Sequence, residues 1–224
     1  MTFEQDMVGE SMSYISNEMA GRKVAVLVET EYIHDEVEYY KTFFGSLGAQ
    51  VDCMTYLWGQ SERRIICDIT DTENPESQIH TMLIDKEIAK YNPNDYDIVL
   101  VAANYVACRL REIPPMGSLG SVDTLRSPAA VRFAASAMAN PFIVKGCLCH
   151  SLWLYTATPE LLKGRKVICH TVVLADIQNA GAIYLPDESH VVVDNDLVTG
   201  RSVADLKEYC NRLLVTWRKI NNKQ

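Results

Sequence analysis

The feature that most constrains this chain is a set of short apolar runs without polar alternation. "KVAVLVET", "YDIVLVAAN" and "PFIVKGCLC" carry apolar side chains at consecutive positions. A strand with one wet face alternates, so these runs fit strands covered on both faces, as in parallel sheets. Segments of helical spacing lie between them. "HDEVEYYKTFFGSLGAQ" opens with acids, continues with apolar residues on one face and stops at Gly48. "RSPAAVRFAASAMAN" offers Ser127 as cap and Pro128 at the first helical position. "HSLWLYTA" begins another helix, and "SVADLKEYCNRLLVTWRK" is a closing amphipathic one. "VDCMTY", "RKVICH", "AIYLP" and "VVVDNDLVTG" supply further strands. Residues 57 to 91 read as a loop or short hairpin before a helical "DKEIAK". Strands alternating with helices predict an α/β fold with a mostly parallel sheet covered on both faces. In such sheets sites form beyond the carboxyl ends of the strands.

The chain has 224 residues, 48% of them apolar, which suffices for a core without metals or disulfides. Residues 1–21 are expected to form an arm closed by Gly21, and residues 22–224 one domain. A net charge of −8 disfavours nucleic acid or an anionic membrane as partner. The seven cysteines are scattered and form no C-x-x-C pair, which predicts a reduced, cytoplasmic chain. The N-terminus is acidic and lacks the basic start and apolar run of a secretory signal. No run is long enough to span a bilayer. No glycine-rich phosphate loop is present, and His34, His80 and His190 read as solvated or locally bonded, so neither cofactor nor metal is expected.

The chemistry concentrates at "KGCLCHSLWLY", residues 145 to 155. Cys149 falls where a buried strand ends and a helix begins, a turn that lifts a side chain clear of the sheet. Such a turn needs small residues two before and two after it, here Cys147 and Ser151. A helix N-terminus behind the thiol is expected to favour thiolate. Cys147 is expected to pack in the core. Cys169, in "VICHT", also precedes a histidine, but it continues an apolar strand with no amphipathic helix behind it and is set aside.

At these residues the chain resembles the PfpI/ThiJ superfamily, of the class I glutamine-amidotransferase-like, flavodoxin-like fold, a three-layer α/β/α sandwich. "KGCLCHSLWLY" is similar to its A-x-C-H-G elbow, and "NPNDYDIVLVAAN" to its N-P-x-x-[FY]-D segment and following strand. "LLKGRKVICHTVVLADIQNAGAIY" and "VVVDNDLVTGRSVADLKEYCNRLL" resemble its C-terminal motifs, in order. The resemblance implies a glutamate from the first helix beside the cysteine. Spacing back from Gly48 selects Glu36, and helical geometry puts it on one face with Tyr40, Phe43, Phe44 and Leu47. Asp35 and Glu38 read as acids suited to a helix N-terminus. His150 follows the cysteine as in the family, supplying an oxyanion N–H or, in peptidase-like members, a base.

The sequence departs from the family in three places. The oxyanion loop P-G-G is Ala102-Ala103-Asn104, where Asn tolerates the positive φ that glycine supplies. Ala103, Asn104 and Tyr105 are expected to line the substrate pocket together with Ser151, which replaces the glycine after C-H. The third acid of the peptidase-like members corresponds to Cys108. The resemblance implies a cysteine-dependent enzyme acting on a small electrophile (an aldehyde, dicarbonyl or nitrile-like carbon), glyoxalase-, deglycase- or hydratase-like. It also leaves open an intracellular cysteine peptidase, or a redox-sensing, stress-protective protein. A homodimer or larger homo-oligomer is implied in the same way.

Overall fold

The computed structural model describes residues 17–68, 79–113, 120–121, 124–186 and 190–222. Most of the proposed N-terminal arm, residues 1–16, lies outside them, as does part of the 57–91 stretch. In chain order the elements are β1 (Lys23–Leu27), α1 (His34–Ser46), β2 (Gln50–Met54), β3 (Arg63–Ile66), β4 (Thr81–Ile84) and β5 (Ile98–Val101). There follow α2 (Val106–Arg109), α3 (Ala129–Ala139), β6 (Val144–Leu148), β7 (Lys166–Val167) and α4 (Thr171–Asn179). The chain closes with β8 (Ile183–Tyr184), β9 (Val191–Asp194), β10 (Leu197–Gly200) and α5 (Leu206–Asn221).

Six strands form the central sheet in the order β2-β1-β5-β6-β10-β9, parallel except for the β9–β10 pair. Every residue of β5, β6 and β10 is buried, which is what the consecutive apolar runs require. α1 and α5 pack side by side, with the Tyr40 and Tyr209 rings 6.3 Å apart, while α3 and α4 flank the segment after β6. The α/β sandwich expected from the sequence is therefore the fold. No helix among the described residues is long and apolar enough to cross a membrane.

Three local expectations are corrected. "DKEIAK" forms only a single 3-10 turn at Ile88–Lys90, because its backbone bridges to Thr55 instead of extending a helix. Of the two forms expected for residues 57–91, the hairpin is found: β3 and β4 pair antiparallel, and Arg63 ion-pairs with the buried Glu29, anchoring the pair to the end of β1. Pro128 is itself the N-cap of α3, and Ser127 makes no side-chain cap bond. "SLWLYTA" is a 3-10 helix, Ser151–Ala157, rather than an α-helix. Its Ser151, Thr156 and Thr158 hydroxyls each bond the carbonyl three residues back, which suits the tighter turn. Pro159 then disfavours helical backbone at Thr158 and ends it.

Candidate active site

The site is built at the carboxyl end of β6. Cys149 adopts φ +60°, a left-handed conformation that costs a non-glycine residue about 1–3 kcal/mol. Two backbone bonds hold it there. The Cys149 N–H donates to Gly200 O at 2.9 Å, and its carbonyl accepts from the His170 N–H at 3.1 Å. The neighbouring strand must come close, and Gly200 permits this. A Cβ at that position would stand 2.4 Å from Leu148 Cδ1. Cys147 packs in the core, as expected, and burial pushes its thiol up.

Ser151 belongs to this scaffold and not to the substrate pocket. It is fully buried, and its Oγ donates to Leu148 O (2.5 Å) and lies 3.2 Å from Ala102 O. Ala103 is likewise corrected. Its N–H donates to both carboxyl oxygens of Glu36, at 3.1 and 2.9 Å, so it is taken before any substrate arrives. Asn104 has φ +64°, as its place in the loop demands. Its side-chain amide donates to Glu31 O (3.0 Å) and Asp68 Oδ2 (2.5 Å), tying the loop to the segment after β3. Glu31 is held in turn by Arg109 of α2, at 2.8 Å. The backbone N–H groups of Asn104 and His150 both favour the thiolate form of Cys149.

Glu36 is the only one of the three acids in "HDEVE" that points inward. It is fully buried and accepts from Tyr40 Oη at 2.6 Å, whereas Glu38 pairs with Lys41. Burial raises Glu36 to about 7, against the opposing bonds from Tyr40 and Ala103. The expectation of a thiolate at Cys149 is overturned. Burial first, and the Glu36 charge second, push this thiol up to about 12, and the Asn104 and His150 N–H groups only partly offset them. A 3-10 segment of seven residues lacks the long aligned dipole that a thiolate would need.

His150 is 7% exposed, and neither ring nitrogen has a protein hydrogen-bond partner. Its ring meets Tyr105 at 5.6 Å, Trp153 at 5.7 Å and His170 at 4.9 Å. Burial and the neighbouring His170 lower its pKa, against a weak interaction with the Asn104 backbone that falls short of hydrogen-bond geometry. Tyr105 is 43% exposed and forms the rim. The sequence reading missed His170. In the second Cys-His pair the Cys169 thiol is fully buried, and the apolar run before it suggests continuing strand. In the fold β7 ends at Val167, and His170 is the N-cap of α4, its Nδ1 accepting from the Val172 N–H at 3.2 Å. The repeated Cys-His dipeptide was the available signal. Donor atoms of Cys149, His150 and His170 all lie within 4.8 Å of one another.

Elsewhere, His190 bonds Asp205, whereas His34 stacks on His80 at 3.7 Å with its Nδ1 unpartnered, so the expectation of local bonding fails for His34. A cavity of about 840 Å³ lies at the opposite end of the strands, between Phe142, Arg165 and Lys219. Its Arg165 is already satisfied by Asp194 and Asp196, and no cysteine or histidine is among the described residues that line it.

A sequence model of the DJ-1/PfpI family matches residues 113–216, which include the elbow and the C-terminal motifs. An uncharacterized protein of Staphylococcus aureus (strain MRSA252) is 32% identical over 152 residues, covering 66% of this chain and 78% of that protein. The chain belongs to the DJ-1/PfpI family. A second uncharacterized S. aureus protein (strain Mu50) is 27% identical over 196 residues, 87% of this chain and 96% of that one. Among solved structures, Schizosaccharomyces pombe DJ-1 superposes with a TM-score of 0.63 at 15% identity, covering 90% of this chain and 97% of its own. The structure of a two-domain protein from Anabaena variabilis, containing DJ-1/ThiJ/PfpI-like and ferritin-like domains, gives 0.67 at 21% identity. That match covers 87% of this chain and 47% of that protein. At these identities the superpositions speak for the DJ-1/PfpI fold alone.

Proposed function

We propose that this DJ-1/PfpI protein is a cysteine-dependent enzyme whose Cys149 adds to a small electrophilic carbon, that of an aldehyde or dicarbonyl. The observation that carries the reading is an elbow thiol that feels the charge of a fully buried Glu36, itself held near 7. That carboxyl can both take and return a proton at neutral pH. In the resting site the proton sits on sulfur, and the Glu36 carboxylate removes it as the carbon–sulfur bond forms. The gap between about 7 and about 12 puts separate thiolate formation at no more than roughly 7 kcal/mol, since moving the proton to Glu36 also removes the charge that opposes the thiolate. That is less than half of the roughly 17 kcal/mol barrier of a reaction turning over about once per second. The N–H groups of Asn104 and His150 receive the developing oxyanion.

His170 adds a further donor. Because its Nδ1 accepts from Val172, its neutral ring carries the proton on Nε2, and this N–H can protonate the alkoxide of the adduct. Two alternatives are less well supported. A peptidase would need an acid behind His150, whose ring nitrogens have none. A peroxide sensor would need a thiolate, which burial of Cys149 opposes. The proposal includes a small-molecule substrate and a homo-oligomer, without nucleic-acid or membrane partners, in the cytoplasm.

The test is turnover of a panel of short aldehydes and dicarbonyls. Loss of at least about a thousandfold is expected in both Cys149→Ser and Glu36→Gln with circular dichroism unchanged. Turnover that survives either substitution would sink the reading.

A further inference from the structure

Three soft or borderline donors meet at the elbow, and the proton-transfer reading leaves one of them without a task for its ring. Cys149 is half-buried, His170 is partly exposed, and His150 is more than nine-tenths buried, with no hydrogen bond of good geometry at either nitrogen and only a weak interaction with the Asn104 backbone. We infer that Cys149, His150 and His170 form a binding site for a thiophilic transition-metal ion of the Zn²⁺ class, and that this ion reversibly blocks the thiol.

The donor set argues for that class. One thiolate and two imidazoles suit Zn²⁺ and disfavour Mg²⁺ or Ca²⁺, which demand oxygen. Three protein ligands leave a fourth position open to water. Bond lengths of about 2.3 Å to sulfur and about 2.0 Å to nitrogen put tetrahedral ligands about 3.3–3.6 Å apart. The three donors already lie within 4.8 Å of one another, so about an ångström of side-chain movement closes the site. The His150 and His170 rings meet at 75°, so the two imidazoles approach from different directions. Charge balances as well. The thiolate and the neighbouring Glu36 carboxylate offset the two positive charges of the ion.

Binding exchanges protons without oxidation or reduction. The thiol loses its proton to solvent as the sulfur–metal bond forms. His170 must also shift its tautomer. Ligation through Nε2 moves the ring proton to Nδ1, which can then no longer accept from Val172 N–H. The metal bond thus replaces the cap of α4, which gives the site a signature that adventitious thiol binding lacks. Binding and turnover compete for the same sulfur, so the inference goes beyond the catalytic proposal and stands or falls separately from it.

The experiment titrates chelator-treated protein with Co²⁺ as optical probe, then displaces it with Zn²⁺. About one equivalent is expected, with a near-ultraviolet sulfur-to-metal band and intense visible bands of tetrahedral Co²⁺. Cys149→Ser should abolish the near-ultraviolet band. His170→Gln, at a partly exposed position and with circular dichroism as the check on folding, should weaken binding at least tenfold. Cys108→Ser, which removes an exposed thiol away from the cluster, should leave the titration unchanged. Hydrogen exchange at the Val172 amide should quicken severalfold on Zn²⁺ addition. An octahedral spectrum without the sulfur band, unweakened binding in His170→Gln, or loss of the band in Cys108→Ser would overturn the site. Cys149-dependent turnover without the Co²⁺ band would defeat this inference alone, and the band without any turnover would defeat only the catalytic proposal.

Discussion

Replacing Glu36 by Gln tests the electrostatics of the site without needing a substrate. The carboxyl is fully buried, and burial raises it from an ordinary 4.5 to about 7. Folding therefore strengthens its hold on a proton. That contribution to stability is complete below about pH 4.5 and is lost as the pH rises through about 7. At about 1.4 kcal/mol for each pH unit, the change is roughly 3 kcal/mol. Gln is isosteric and never ionises, so its stability lacks this component. It carries a separate, pH-independent cost of about 1–3 kcal/mol, because its Nε2 cannot accept from Ala103 or Tyr40. The assay is urea denaturation of both proteins from about pH 4.5 to 8.5. The unsubstituted protein should lose roughly 3 kcal/mol relative to Glu36→Gln across that range, whatever the constant offset. Two stability curves that stay parallel within about 1 kcal/mol would refute the reasoning, because a buried carboxyl without a titration penalty cannot be the proton carrier described.

Three further outcomes follow from the same geometry. Alkylation of Cys149 at about pH 7 should run roughly a hundredfold slower than that of free cysteine, since the scarcity of thiolate outweighs its greater nucleophilicity; a plateau below about pH 8, followed by mass spectrometry, would contradict this. Gly200→Ala should lower stability by about 1–3 kcal/mol in thermal denaturation, because the new methyl meets Leu148 at 2.4 Å, and it should impair turnover by displacing the elbow. Asn104→Gly should keep the positive φ but lose the strut to Asp68 and Glu31, raising KM or lowering kcat several-fold, whereas Asn104→Ala should be worse in both stability and rate.

How far the site could be read from the chain depended on the range of the interaction. Glu36 was legible because the resemblance supplies a spacing back from Gly48 and the helical period agrees with it, placing Glu36 on the face of α1 with Tyr40 and Phe44. Cys149 was legible because a buried run ending in small residues marks a sharp turn, and φ +60° bears that out. Ser151 and Ala103 were assigned to substrate because the resemblance supplies position but not hydrogen-bond partners. Both are consumed by the scaffold, one by carbonyls of β6 and its neighbour, the other by Glu36. His170 escaped because it lies 21 residues beyond Cys149, and nothing local says that β7 stops short and a helix begins.

Taken by itself, the order of apolar runs and amphipathic segments determined the α/β architecture, since hydrophobic periodicity is a property of each segment before it meets any other. The elbow cysteine stood out at the end of a buried run, and the resemblance, not periodicity, singled out Glu36. Only tertiary structure decided the protonation of that cysteine, because desolvation depends on everything packed around the sulfur and here outweighs the backbone N–H groups that favour thiolate. It also decided which imidazoles share the site, since Cys149 and His170 meet only where the backbone after β6 bonds to the backbone entering α4.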